Sequence, residues 1–409
     1  MNSKTASAGN SGQGIRSDCT VRIDLLNEGG ININLKSKVE VLYGKSIREL
    51  CIEELRFFGI ENAKVNIDDS GALPFVISAR IESAVRKLNS SRQEFLPGMK
   101  SENMYSTIRD RFRFSRLYIP GNTPSMMINA GLYSADGIIL DLEDSVAPEK
   151  KDEARILVRN ALRQVSFYGA ERMVRINQGD RGMDDIRILV PHNVNLFLIP
   201  KCETIEQVKG IKNEIDRISI ESGIKATVHL MPIIETALGV ENAFEIARAD
   251  ESVAALAVGL EDLTADLGVS RTTEGKETFY ARSRLVNVCK AAGIQAIDSV
   301  FPDVGDTKAL EKAVADSKAM GFDGMGCIHP LQVAVVNRGF EPEDEQIEKS
   351  RRIILAYHEA IKSGKGVVAM GSKMIDPPVV ARAQKIIDLA LRLGKIDPGW
   401  MEETQDREK

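Results

Sequence analysis

The sequence predicts an α/β protein whose larger part is a closed (β/α)8 barrel. Eight short apolar runs alternate with helix-period segments between residues 117 and 328, the rhythm that such a barrel requires. No G-x-G-x-x-G follows the first run, which removes the usual dinucleotide-binding version of the rival, an open doubly wound sheet. Acidic side chains gather just after several of the runs, where a barrel assembles its chemistry.

The first 90 residues read as a small α/β unit of their own. Residues 19–26 alternate apolar and polar, 27–30 offer a turn and 31–35 alternate again, a hairpin signal. Residues 46–57 place Ile47, Leu50, Cys51 and Leu55 on one helical face. Short strands are expected at 65–67 and 75–77, the second followed by a helix to residue 88. The stretch 91–110 is polar and contains Pro97-Gly98, so it reads as a linker. The barrel then occupies 111–340, with strands at 117–119, 137–141, 173–176, 196–199, 229–234, 254–259, 296–300 and 324–328. Helices are expected at 149–164, 205–220, 237–249, 279–292 and 307–320, and a helical extension at 341–409.

The chain has 409 residues, 43% hydrophobic and 28% charged, with a formal net charge of −5. It has no basic excess with which to neutralise phosphates, so nucleic acid is not an expected partner. No apolar run approaches the roughly 20 residues that span a bilayer, and the polar, Gly/Ser-rich start has no signal-peptide core. The 5 cysteines and 4 histidines are scattered. Their spacing suggests neither a zinc site nor a disulfide framework, and a reducing cytoplasm is the expected compartment.

Strand two ends in Asp141, Glu143 and Asp144, strand five in Glu235 and strand six in Glu261 and Asp262. Strand three carries Arg175 and Asn177, and strand four ends in Lys201. Carboxylates from neighbouring strand ends can converge on one hard cation such as Mg2+. Any one of these acids taken alone is more simply a helix cap or a partner for Arg or Lys. Asp141, Glu143 and Asp144 are also suited to orienting an arginine or a turn. His329 reads as a packed histidine that fixes a loop. The charge run 149–153 reads as a solvated helix start.

Several of these segments resemble the citrate lyase β subunit and its relatives, the malyl- and citramalyl-thioester lyases. They are RLYIPG at 116–121, LDLEDSVA at 140–147, VRIN at 174–177, IPK at 199–201, IETALG at 234–239, GLEDL at 259–263, IHP at 328–330 and GSKMIDPP at 371–378. The resemblance implies a barrel in trimers, with magnesium held by Glu235 and Asp262. It implies that Arg175 contacts substrate and stabilises an enolate, and that Asp376 transfers a proton in a neighbouring subunit's site. Relatives often carry two adjacent arginines before the first strand; here Arg113 is followed by Phe114.

The N-terminal unit is similar to the citrate lyase acyl carrier protein, on IDDSGAL at 67–73, ISARIESAVR at 77–86 and SDCTVRI at 17–23. In that family the first residue of a Ser, Ser or Gly, Asp pattern is a serine bearing phosphoribosyl-dephospho-coenzyme A. Here Arg16 holds that position and Ser17 follows. The resemblance implies either an arm on Ser17 or a module that serves only for docking. The implied reaction cleaves citryl on a carrier to oxaloacetate and acetyl carrier, with a citrate lyase α (transferase) subunit as partner. The alternatives are a lyase of free citramalyl- or malyl-coenzyme A and a non-catalytic assembly subunit. The set Arg175, Glu235, Asp262 and Asp376 speaks against the last.

Overall fold

A computed structural model describes residues 4–362, 368–370 and 373–401. Gly371 and Ser372, the start of the C-terminal signature, lie outside the described residues. The chain divides into two compact units, Met1–Val336 and Asn337–Lys409.

The first unit opens with β1 (Thr5–Gly9), β2 (Cys19–Leu25), β3 (Ile31–Ser37), α1 (Glu40–Phe57), β4 (Ala63–Asp69) and α2 (Pro74–Asn89). The expected hairpin does not form. β4 lies between its two arms, antiparallel to β2 and parallel to β3, in the sheet order β1-β2-β4-β3. The helix α1 is the reason: a crossover helix returns the chain parallel to β3, and β4 thereby takes the partner that β2 would have had. Residues 75–77 are helix, not strand. Pro74 occupies the first turn of α2 behind the extended Leu73, and its fixed φ favours helix initiation. β1 arises in a stretch that composition alone reads as polar.

The barrel follows. Its elements are β5 (Ser115–Pro120), α3 (Pro124–Met127), β6 (Gly137–Asp141), α4 (Lys151–Gln164), β7 (Glu171–Arg175), α5 (Gly179–Leu189), β8 (Leu196–Ile199), α6 (Ile205–Glu221), β9 (His229–Ile234), α7 (Ala237–Glu241), α8 (Ala243–Ala247), β10 (Ala255–Val258), α9 (Leu260–Asp266), α10 (Phe279–Ala292), β11 (Gln295–Asp298), α11 (Thr307–Met320) and β12 (Gly324–Cys327). The eight strands are parallel and closed, β12 pairing with β5. Their lumen is filled by Ile139, Met173, Leu198, Met231, Ile233, Ala257 and Ile297, inward residues from successive strands. The helix expected at 237–249 is two short helices meeting at Asn242. Among the described residues no helix is long and apolar enough to cross a membrane.

The carrier-like unit and the barrel share a buried seam. Almost every residue of α2 from Phe75 to Val85 is buried, as is α4 from Glu153 to Leu162. Arg159 donates to Glu82 at 2.9 and 2.7 Å, both side chains fully buried. Glu153, read from its charge run as solvated, is 1% exposed and accepts from the Gly9 N–H at 2.8 Å and from Lys87 at 2.5 Å. Burial pushes its carboxyl up, but Lys87, Gly9 and Lys150 hold it below its usual value. Residues 91–110 carry one short helical turn, Ser101–Asn103. They are tied along α4 by Lys100 N–H to Arg163 O, Arg163 to Pro97 O, and Asn103 to Val165 O.

In the chain order α12 (Pro330–Phe340) crosses the division between units. The second unit holds α13 (Asp344–Lys362), the antiparallel pair β13 (Val368–Met370) and β14 (Lys373–Ile375), and α14 (Pro377–Arg392). Ile354, Ile375, Ile387 and Trp400 are among its core residues.

Glu54 on α1 is fully buried, and burial pushes its carboxyl up to about 8. The folded protein keeps Glu54 neutral where the unfolded chain, with an ordinary carboxyl near ~4.3, ionises it. Its contribution to stability is therefore greatest below the unfolded value and is lost as pH rises toward about 8. Glu54→Gln is expected to raise the melting temperature at pH 8.5 by a few degrees and to leave it nearly unchanged at pH 4.5. Thermal unfolding of both proteins at the two pH values checks this.

Candidate active site

The C-terminal ends of the barrel strands open into a cleft of about 470 Å³. Arg116, Asp141, Arg175, Glu235 and Asp262 all line it.

Glu235 follows β9 directly, and Thr236 behind it caps α7 through its hydroxyl, which accepts from the Gly239 N–H at 3.1 Å. The carboxylate is thus held between a strand end and a helix cap, 3% exposed. Lys201, at the left-handed φ of 46°, turns its own N–H onto Glu235 Oε1 at 2.7 Å. A non-glycine residue in that region is strained and is found where the surroundings impose it. Gly259 completes the cradle: a Cβ there would lie 2.3 Å from Glu235 Oε2. Three residues on, Asp262 stands in the first turn of α9, half exposed, with Lys201 Nζ 3.3 Å from its Oδ1.

Burial pushes the Glu235 carboxyl up to about 7; the Lys201 N–H opposes this, and Asp262 and Glu143 add repulsion. Arg175 is gripped by Asp141, with two hydrogen bonds of 2.7 Å. It also lies 3.1 Å from Glu143 and 3.3 Å from Asp144. Burial pushes the Asp141 carboxyl up, but Arg175 more than offsets it and holds the group below its usual value. Asp141 also accepts from the Glu143 and Ser145 N–H groups. It is therefore an orienting residue for both the arginine and the turn, one of the readings the sequence left open.

Around Arg175 and Lys201 the carboxyl groups of Asp141, Glu143, Asp144, Glu235 and Asp262 are thus in excess. A divalent cation between Glu235 and Asp262 would relieve the excess. Among the described residues no group of three or more His, Cys, Asp and Glu could hold a metal alone. A pair of carboxylates with the remaining places left to water and substrate oxygens is the usual manner for Mg2+, so these residues fit that ion.

Arg116 escaped the sequence reading as a site residue. It is 2% exposed in the barrel lumen, its guanidinium against Met231 Sδ and Asp298 O, with no hydrogen-bond partner for Nε. Burial lowers it to about 10. A charged residue two before Tyr118 on an inward strand face was the available signal. Arg113 is fully buried at the other end of the strands, paired with Glu171 at 2.7 Å, and so does not face the cleft. His329 Nδ1 accepts from the Leu331 N–H, a loop-fixing contact.

The remaining two expected residues belong to other parts of the chain. Ser17 is in the N-terminal unit, at φ 55°, its N–H donated to Ser70 O at 3.1 Å. Asp376 belongs to the second unit, where its carboxylate caps α14 by accepting from the Val379 N–H.

The family described as HpcH/HpaI aldolase/citrate lyase matches residues 115–330. The chain belongs to that family. A second family, ACP, malonate decarboxylase delta subunit, matches residues 3–88. The citrate lyase subunit beta of Leuconostoc mesenteroides subsp. cremoris is 37% identical over 69% of this chain and 94% of its own length. Human mitochondrial citramalyl-CoA lyase is 30% identical over 75% and 94%. Among solved structures, protein CitE from Mycobacterium tuberculosis, in complex with magnesium, acetoacetate and coenzyme A, is 30% identical. It superposes with a TM-score of 0.58 over 69% of this chain and 99% of that one. Like these citrate lyase relatives, the chain is a carbon–carbon lyase.

In this lyase the space over Glu235 depends on Gly259. Gly259→Ala is expected to displace the carboxylate and lower turnover by ~100-fold, the scale of an ångström's misplacement. Circular dichroism should remain that of the parent. Activity within a few-fold of the parent would show that the Glu235 position is not required.

Proposed function

We propose that this lyase cleaves a β-hydroxyacyl thioester, with citryl as the acyl group, to oxaloacetate and an acetyl thioester. The observation that carries the reading is the buried Glu235, crowded by Asp262 at the mouth of a barrel and pushed up to about 7 by burial despite the opposing charge of Arg175. The names of the relatives support the substrate class, and the magnesium in the mycobacterial complex supports the choice of ion. Glu235 and Asp262 are the proposed ligands.

Magnesium held there would supply Lewis-acid stabilisation to the substrate oxygen that passes from hydroxyl to carbonyl. Arg175 is oriented by Asp141 to face charge that grows on the thioester oxygen, where a fixed cation in a sheltered site is most effective. The β-hydroxyl loses a proton, the carbon–carbon bond breaks as the ketone of oxaloacetate forms, and the electron pair passes into the thioester enolate. Asp376, supplied by a neighbouring protomer of a trimer, is the proposed donor of the proton to the enolate carbon. One proton leaves and one is gained, so the cleavage is proton-neutral.

The acyl-carrier-like unit supports a carrier-bound thioester, with an arm on Ser17 and a citrate lyase α transferase subunit as partner. Arg16 in place of the carrier serine favours the second reading, a free coenzyme A thioester. The cytoplasm is the proposed compartment, given five free cysteines.

Glu235→Ala should abolish magnesium-dependent cleavage while the melting temperature stays within a few degrees; full activity would remove Glu235 from the site. Asp376→Ala should block solvent proton exchange into the acetyl thioester. Mixed with Glu235→Ala and allowed to exchange subunits, it should recover part of the activity. No recovery would argue against donation across subunits.

A further inference from the structure

The loop at residues 10–17 is pinned at both ends to the segments that follow β5 and β6. At its start, Gly9 gives its N–H to Glu153 at 2.8 Å and accepts from Lys150 Nζ at 3.1 Å. Both partners lie where the chain leaves β6 and enters α4. At its end, Asp18 is gripped by Arg80 through two hydrogen bonds of 2.9 Å, both side chains buried. Arg80 also reaches the carbonyl of Asn122, at 3.5 Å, just past β5. The loops after β5 and β6 are those that bring Met126, Asp144 and Ser145 to the cleft.

The unit bearing this loop is not built to leave. Separating α2 from α4 would uncover Arg80, Glu82, Glu153 and Arg159, charges now buried and mutually paired. Opening such pairs leaves uncompensated charge in apolar surroundings. The chain between the units is tied down along α4 as well.

Within the pinned loop Gly12 and Gly14 take positive φ and have no atom within 4 Å of the place a Cβ would occupy. Arg16 is exposed, and among the described residues no carboxylate pairs with it. The cleft that the segments after β5 and β6 border is rich in carboxylates and would repel a phosphate-bearing tail. A cation at the rim is what such a tail requires, and a guanidinium suits phosphate oxygens in a bidentate manner.

We propose that the N-terminal unit is a fixed wall of the thioester site and not a travelling carrier, and that Arg16 binds the phosphate groups of a freely diffusing nucleotide thioester at the rim of the barrel. This rests on the thioester-lyase reading and selects its substrate form. Ser17 then keeps the turn in register and bears no arm.

The test uses the full-length enzyme with magnesium and two thioester forms of citrate and of citramalate. One form is on coenzyme A; the other is on pantetheine, which lacks the nucleotide phosphates. Arg16→Glu should raise KM for the coenzyme A form by ~10-fold or more, about 1.4 kcal/mol, with kcat within twofold. The pantetheine form should be unaffected, and Arg16→Lys should fall between. Unchanged KM for the coenzyme A form in Arg16→Glu overturns the proposal while leaving the lyase reading intact. An arm found on Ser17 by intact mass of the protein from its host, with Ser17→Ala inactive, also overturns it. A parent enzyme that cleaves neither form overturns this proposal and leaves the carrier-bound thioester reading standing.

Discussion

Crowded negative charge at the C-terminal ends of the parallel strands is the constraint to which the rest of the cleft answers. Burial, with repulsion from Asp262 and Glu143, raises the proton affinity of Glu235 to about 7, and the fold accepts further cost to keep it there. Lys201 is held in a left-handed backbone conformation to give it an N–H, and position 259 is a glycine so that its oxygen has room. A strained residue and a forced glycine around one carboxylate are hard to explain by stability alone. They are what a site looks like when its missing charge arrives with a ligand.

The positive side of the cleft is organised by the same logic. Arg175 is bound by Asp141 on two edges, with Glu143 and Asp144 close by, so its guanidinium has little freedom. An arginine fixed in this way can meet a developing oxyanion without reorganising. Arg116 differs: it sits in the lumen floor with Nε unpartnered, a buried cation whose lowered proton affinity reflects the cost of its position.

A second set of buried charges joins the carrier-like unit to the barrel. Glu153 and Arg159 are on barrel helix α4, and their partners Lys87, Arg80 and Glu82 are on α2. Ion pairs of this kind contribute little net stability over an apolar seam, but breaking them is costly. They therefore act as a specification of which surfaces meet and in what register. The consequence is geometric: the ends of the loop at 10–17 are held against the segments that follow β5 and β6.

What the sequence determined by itself was local and periodic. Strand–helix alternation fixed the eight barrel strands to within one or two residues, because inward and outward faces of a barrel strand leave a strong apolar signature. The ordered motifs identified the family, and strand-end acids and Arg175 marked the cleft. Tertiary structure decided what depends on distant partners. Which strand sits beside β2 was set by the crossover of α1, and Pro74 turned an apolar triplet into the start of α2. Glu153 looked solvated because its neighbours are charged, and it is buried because a helix more than sixty positions earlier in the chain packs over it. The division of labour among the acids, with Asp141 holding an arginine and Glu235 left short of positive charge, likewise follows from contacts that no single stretch of sequence contains.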